Sequence, residues 1–352
     1  VEPLFAGMLS FYERTLTVVL RHRRATMAVS GAVLAATVVL FVRMPKGFLP
    51  SEDQGLMFGF TEAQQGISFA AMKEHQLQVA DVLAKDPNVE SFMSSIGASG
   101  ISSQGNQGRV FARLKPRGER VHVDQVIQGL RPKLAKIPGI QVFLQNPPPI
   151  RIGGTLSKSP YQLTLQSPST AELYEHAPEL EAKLRTLPLL QDVTSDLQIK
   201  NPQVNVEIER DRASALGVSA AQVETALMTA YAASQISTIL APNNQYKVIM
   251  ELEPKFQRDL SSLSLLYIRS SNGELVPLRS VSKLTQDVGP LSVNHLGQLP
   301  AVTLSFNTRP GVSLGDAVNA VNEMAREILP ASVSTRFQGT AQAFESSMQG
   351  LG

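Results

Sequence analysis

Few residues in this sequence are spaced for chemistry. The five histidines, His22, His75, His122, His176 and His295, share no ligand spacing, and zinc motifs depend on such spacing. Glu207, Glu209 and Asp211 alternate with Arg210 and Arg212. Acid–base work is one reading of that run; a half-exposed strand that ends in a cap at Asp211 explains it more simply. Glu172, Glu175, Glu179 and Glu181 recur at helical spacing and read as a solvated face. There is no cysteine, which excludes disulfides and Cys-based metal sites. The stretch 97–108, GASGISSQGNQG, is rich in Gly, Ser and Gln. It joins two strand-like segments, whereas a phosphate loop joins a strand to a helix. Nothing in this set argues for an enzyme or a cofactor.

What remains is apolar lining. Phe58, Phe60, Met93, Phe111 and Phe143 all fall in strand-like segments. Side chains alternate across a strand, so some of these should face helices as core and others an open sheet side. A fully buried set would be ordinary core. An open aromatic and Met-lined sheet would hold varied apolar ligands by contact area, with few directional bonds.

Composition bounds the rest. The 352 residues carry a net charge of +2 and are 43% hydrophobic, which suits two or three globular cores. So small a charge predicts no strong attraction to nucleic acid. The sequence opens on Val1 and stops at Gly352, and both ends look like cuts in a longer protein.

The segment Ala25 to Val42 runs 18 residues without a charge. That is just long enough to cross a bilayer with help from its flanks. Arg21, His22, Arg23 and Arg24 precede it, and Arg43 and Lys46 follow. The basic excess places the N-terminal side in the cytoplasm and the rest outside. A signal peptide is a poorer fit, because Arg43-Met44-Pro45-Lys46 stands where a small-residue cleavage site would lie. Leu4, Phe5, Met8, Leu9, Tyr12, Leu16 and Leu20 recur at helical spacing before the span. They read equally as a helix on the cytoplasmic membrane surface or as an amphipathic core helix.

The remainder alternates strands and amphipathic helices. Strands are expected at 56–62, 89–96, 109–114 and 140–145, with helices at 67–85 and 123–137. Phe69, Met72, Leu77, Ala80 and Leu83 mark the apolar face of the first helix. The pattern is βαββαβ, the ferredoxin-like arrangement. Each helix end is closed by a proline, which cannot continue a helix. Pro87, Pro138, Pro188 and Pro330 are 51, 50 and 142 positions apart. The last interval is about 92 residues too long, so a second βαββαβ unit is split by an insertion. The fold class is therefore α+β: one transmembrane helix, then two ferredoxin-like subdomains, the second interrupted. The expected divisions are 1–24, an interfacial cytoplasmic helix; 25–44, the membrane helix; 55–150, the first subdomain; 151–200 with 291–340, the second; and 201–290, the insertion. Within it, Ser219 and Gln222 form a capping box and Asn272-Gly273 a hairpin turn. Ser313 and Asp316 cap a later helix. An inserted domain with polar turns suits contact with another protein, or is structural elaboration alone.

These residues resemble a known family. Leu20-Arg21-His22-Arg23, an apolar span, then Pro45-Lys46-Gly47-Phe48-Leu49-Pro50 and Glu52-Asp53-Gln54-Gly55 are similar to the seventh transmembrane helix and its exit in resistance–nodulation–division efflux pumps. Leu114-Lys115-Pro116-Arg117-Gly118-Glu119-Arg120, Leu216-Gly217-Val218, Asn244-Gln245-Tyr246-Lys247-Val248 and Gly339-Thr340-Ala341-Gln342 extend the likeness over the whole chain, closest to the MdtB/MdtC type. The resemblance implies two porter subdomains and an inserted docking subdomain within a proton-driven multidrug pump of the bacterial inner membrane, mostly periplasmic in this stretch. It implies a trimer of one or two kinds of protomer, a periplasmic adaptor, an outer-membrane channel and amphiphilic small-molecule substrates. It places Phe58, Phe60, Met93, Phe111, Phe143 and Gln145 along the drug cleft between the porter subdomains. It makes Gly97, Ala98, Ser99, Gly100 and Ile101 a switch-like loop, here without the phenylalanines of the AcrB type. The family's proton relay lies on other spans. A metal-ion exporter of the same superfamily and a membrane-anchored interaction module without transport are the alternatives.

Overall fold

The computed structural model describes residues 2–44, 52–97, 104–150, 152–154, 157–257 and 259–349. Two helices, α1 (Glu2–Arg21) and α2 (Arg23–Arg43), meet at His22. Arg23–Phe41 within α2 is long and apolar enough to cross a membrane, by length and composition. The side chains of Arg23–Phe41 are exposed, apart from the half-buried Thr26. The exit motif 45–50 lies outside the described residues.

The first unit comprises β1 (Leu56–Ala63), α3 (Phe69–Ala84), β2 (Val89–Ile96), β3 (Gln107–Leu114), α4 (Val123–Leu134) and β4 (Ile140–Gln145). Its sheet runs β2-β3-β1-β4 and is antiparallel throughout. The helices cover one face and bury Met57, Val110, Ala112, Leu114 and Leu144 against Met72, Val79, Val126 and Leu130. The α3 stripe differs from expectation. Met72, Gln76, Val79 and Leu83 are buried, while Phe69 and Leu77 are exposed. Gln76 wins an inward place because the sheet offers it partners. Its Oε1 accepts from Thr61 Oγ1 at 2.6 Å, and its Nε2 donates to Ser94 Oγ at 2.8 Å.

The second unit starts with β5 (Tyr161–Gln166), α5 (Thr170–Thr186) and β6 (Leu190–Ser195). The chain then leaves through β7 (Asn201–Ile208), α6 (Arg210–Ala215), α7 (Ala220–Tyr231), β8 (Ser234–Ala241), β9 (Asn244–Met250), α8 (Pro254–Gln257), β10 (Tyr267–Arg269), β11 (Leu275–Pro277) and β12 (Ser282–Gly289). It returns by β13 (His295–Leu296), β14 (Leu299–Thr308), α9 (Leu314–Ile328) and β15 (Ser334–Gln338), and ends in α10 (Thr340–Gln349). In the sheet, β6 pairs β14, and β14-β5-β15 follow in order. This is the strand order of the first unit, with an insertion between its second and third strands. The insertion enters and leaves as one ribbon, β7 against β12, with Asn201 opposite Gly289. Ser219 and Gln222 form the reciprocal capping box, and Ser313 Oγ accepts from the Asp316 amide. Asp211 sits one position inside α6, whose cap position is Glu209.

Candidate functional site: the open face of the first sheet

All six lining residues stand on the sheet face that the helices do not cover. Register fixes this. Gln145 pairs Phe58, Phe58 pairs Phe111, and Phe111 pairs Met93, one row across four strands. Phe143, Phe60, Arg109 and Ser95 make the next row. The expected division between core and open side does not occur. The helix side takes the intervening residues instead, Met57, Val110, Ala112 and Leu144. The rings are in contact: Phe58 and Phe60 cross edge-to-face with centroids 4.7 Å apart, and Phe58 lies 4.6 Å from Phe111. The Arg109 guanidinium sits 5.9 Å from the Phe60 centroid, within cation–π reach.

Burial grades along the face. Phe58, Phe60 and Phe143 form an apolar cluster of their own, each under 8% exposed. Pro147, Pro148, Ile152 and Gly339 line a pocket with Phe58, and Gln145 Nε2 donates to Ser157 O at 2.8 Å. Phe111 and Met93 lie open, at 43% and 59% exposure. The two are cross-strand partners, so their exposed side chains adjoin. Ala98, Ser99, Gly100 and Ile101 lie outside the described residues. Gly97 is described, at φ +78°, and its amide donates to Gln107 O.

The third row is polar. Glu62 pairs Gln141 on one side and Gln107 on the other. Its carboxylate accepts from Lys158 Nζ at 2.6 Å and Gln107 Nε2 at 3.2 Å. Beside it a cavity of about 450 Å³ opens between the units, lined by Glu62, Gln141, Glu181, Arg185, Thr194 and Ser195 among others. Burial pushes the Glu181 carboxyl upward against the pull of Arg185, 2.6 Å away. Glu181 is thus a cavity residue and departs from the solvated row expected on α5. The period of two along β1 could have found Glu62, since Phe58, Phe60 and Glu62 share one face. Lys158 is in a loop, where no periodicity exists to read.

A buried ion pair ties the chain just before β1 to the start of α4. Asp53 Oδ1 and Oδ2 accept two bonds from Arg120, each 2.7 Å, with both side chains at most 1% exposed. Asp53 also accepts from the Gly55 and Val123 amides, so it caps the N-terminus of α4 from outside the helix. Those bonds, led by the one from Arg120, hold its carboxyl well below the usual carboxylate range, although burial opposes them.

A face graded from aromatic to polar, beside a cavity between two similar units, has the lining to hold an amphiphile. Comparison with known proteins bears on the fold and the family. Two crystal forms of a heavy metal efflux pump share the fold, with TM-scores of 0.82 and 0.81 at 20% identity. They match over 99% and 98% of this chain and 38% of theirs, so the chain spans about two-fifths of the length of those pumps. The AcrB/AcrD/AcrF family model matches residues 1–351, and the chain belongs to that family of resistance–nodulation–division efflux transporters.

Proposed function

We propose that this chain forms the substrate cleft and docking region of a proton-driven inner-membrane multidrug efflux pump. The observation that carries the reading is the continuous row Met93–Phe111–Phe58–Gln145 on the sheet face turned away from the helices, open at its Met93–Phe111 end. It grades into the polar row at Glu62 and the cavity of about 450 Å³. That volume suits a small organic molecule. An amphiphile would lay its apolar body on the rings and its polar end toward Glu62, Gln107 and Gln141. On this reading the units 55–150 and 151–200 with 291–340 are porter subdomains. Residues 25–44 cross the membrane, 1–24 lie on its cytoplasmic surface, and 97–101 switch between pockets. Residues 201–290 reach a periplasmic adaptor and an outer-membrane channel in a trimeric assembly. The exposed Ile239, Leu240 and Tyr246 near the tip of the β8–β9 hairpin suit that contact.

The test is drug tolerance. In the full pump, Phe111→Ala with Phe143→Ala should lower tolerance of amphiphilic compounds while the trimer still assembles. Because Phe143 is buried, Phe111→Ala with Met93→Ala is the paired control, and both of those side chains lie open. Unchanged tolerance with both variants would remove the cleft from this reading.

Metal export is the second reading, raised by the heavy metal efflux pumps that share the fold. At 20% identity that likeness carries the fold alone. Soft-metal transport needs several sulfur ligands within reach of one ion. Among the described residues Met93 is the one Met on the open face, while Met57 and Met72 lie on the helix side. Survival in copper or silver salts unaffected by Met93→Ala would count against metal export.

A further inference from the structure

The seam between the two units differs from their interiors. Each unit has its own apolar core. Between them lie the cavity of about 450 Å³ and another of about 330 Å³. Parting the units there gives up little core, and relative motion is the default for such a boundary.

Two ion pairs cross this seam with all four side chains at most 22% exposed. Arg131 on α4 donates to both carboxylate oxygens of Asp192 on β6, at 2.6 and 2.5 Å. Lys158 donates to Glu62 at 2.6 Å and to Ser195 O at 3.1 Å. Glu62 lines the larger cavity and Arg131 the smaller, so each cavity has one pair beside it. The second unit supplies its halves from one bracket, since Ser159 Oγ donates to the Asp192 carbonyl at 2.7 Å. Asp192 itself holds a left-handed backbone, φ +55°. That conformation is strained for a non-glycine residue and persists where surrounding contacts enforce it.

We propose that Arg131–Asp192 and Lys158–Glu62 are a two-point latch that holds the seam closed and sets how often the cleft opens. This rests on the reading of the cleft as the substrate route. Neutralising one partner strands the other as a buried charge in the closed state. In the open state water solvates it. The closed state alone is penalised, so the open population rises.

The test uses the full-length pump in lipid nanodiscs, with spin labels at Gln125→Cys on α4 and Lys183→Cys on α5. Arg131→Met and Lys158→Met should each shift the label distances toward longer values. The expected rise in the open-to-closed ratio is on the order of tenfold. Asp192→Gly is the variant least at risk of misfolding, because glycine takes the left-handed backbone without strain. It should open the seam equally. The swap Arg131→Asp with Asp192→Arg should restore the short distance, which a general packing defect would not do. Unchanged distances in Asp192→Gly and Lys158→Met would overturn the latch, whatever the export result. Altered distances with normal amphiphile export would leave the latch standing and overturn the cleft as the route.

Discussion

Asp53 and Arg120 are separated by 67 positions and meet in a contact that water does not reach. A bidentate pair with both charges buried gains its worth from the cost of losing one half. Arg120→Met should therefore destabilise the fold by about 3 kcal/mol or more, read from the denaturant midpoint. The pH dependence has a definite sign. The folded carboxyl lies below its usual range, so this stabilisation is complete above the ordinary aspartate value near 4 and is lost as the pH falls below it. Asp53→Asn should flatten the fall in melting temperature between roughly pH 4 and pH 2. An acid limb as steep as the parent's would contradict the assignment. Asp53 and Arg120 were visible in the sequence as members of two family-like motifs, 52–55 and 114–120. Their pairing was not, because no local rule links charges so far apart.

At the scale of elements, register decides which side chains meet. The period of two along the strands was readable, and so were the helix ends and the caps at Ser219 and Ser313. The facing of the aromatic row was not. One strand read alone offers two faces, and only the pairing of four strands chose the one turned away from the helices. The α3 stripe failed for a related reason. Hydrophobicity favoured Phe69 and Leu77, whereas the sheet offered hydrogen bonds to Gln76. Gly108 tests that account. A Cβ there would stand 2.6 Å from Thr61 Oγ1 and 2.9 Å from Gln76 Oε1, inside the buried network. Gly108→Ala should cost about 2 kcal/mol in unfolding free energy by overpacking. A variant as stable as the parent would show the network to be slack.

At the scale of the molecule, the proline spacing revealed the split second unit, because equal helix-to-helix intervals make an overlong one stand out. The seam between the units left no such trace. Lys158, Asp192 and Glu181 gain their meaning only when two subdomains face each other. The ribbon β7–β12 gives the insertion a removable form, since Asn201 and Gly289 are already paired. Replacing residues 203–287 with an Asn-Gly turn should leave the melting of the two units nearly unchanged and abolish capture of the outer-membrane channel. Collapse of both units would show that the insertion supports the fold. In the proposed function the substrate lies on the first sheet's face turned away from its helices, at the open Phe111 end. The most direct measurement places a photoreactive phenylalanine analogue at Phe111 in the full pump and irradiates it with a transported amphiphile. Labelling at Phe111 that excess unlabelled compound suppresses is expected, with none from the same analogue at Phe69, exposed on α3. Equal labelling at the two positions, or labelling at Phe111 that competitor leaves untouched, would contradict it.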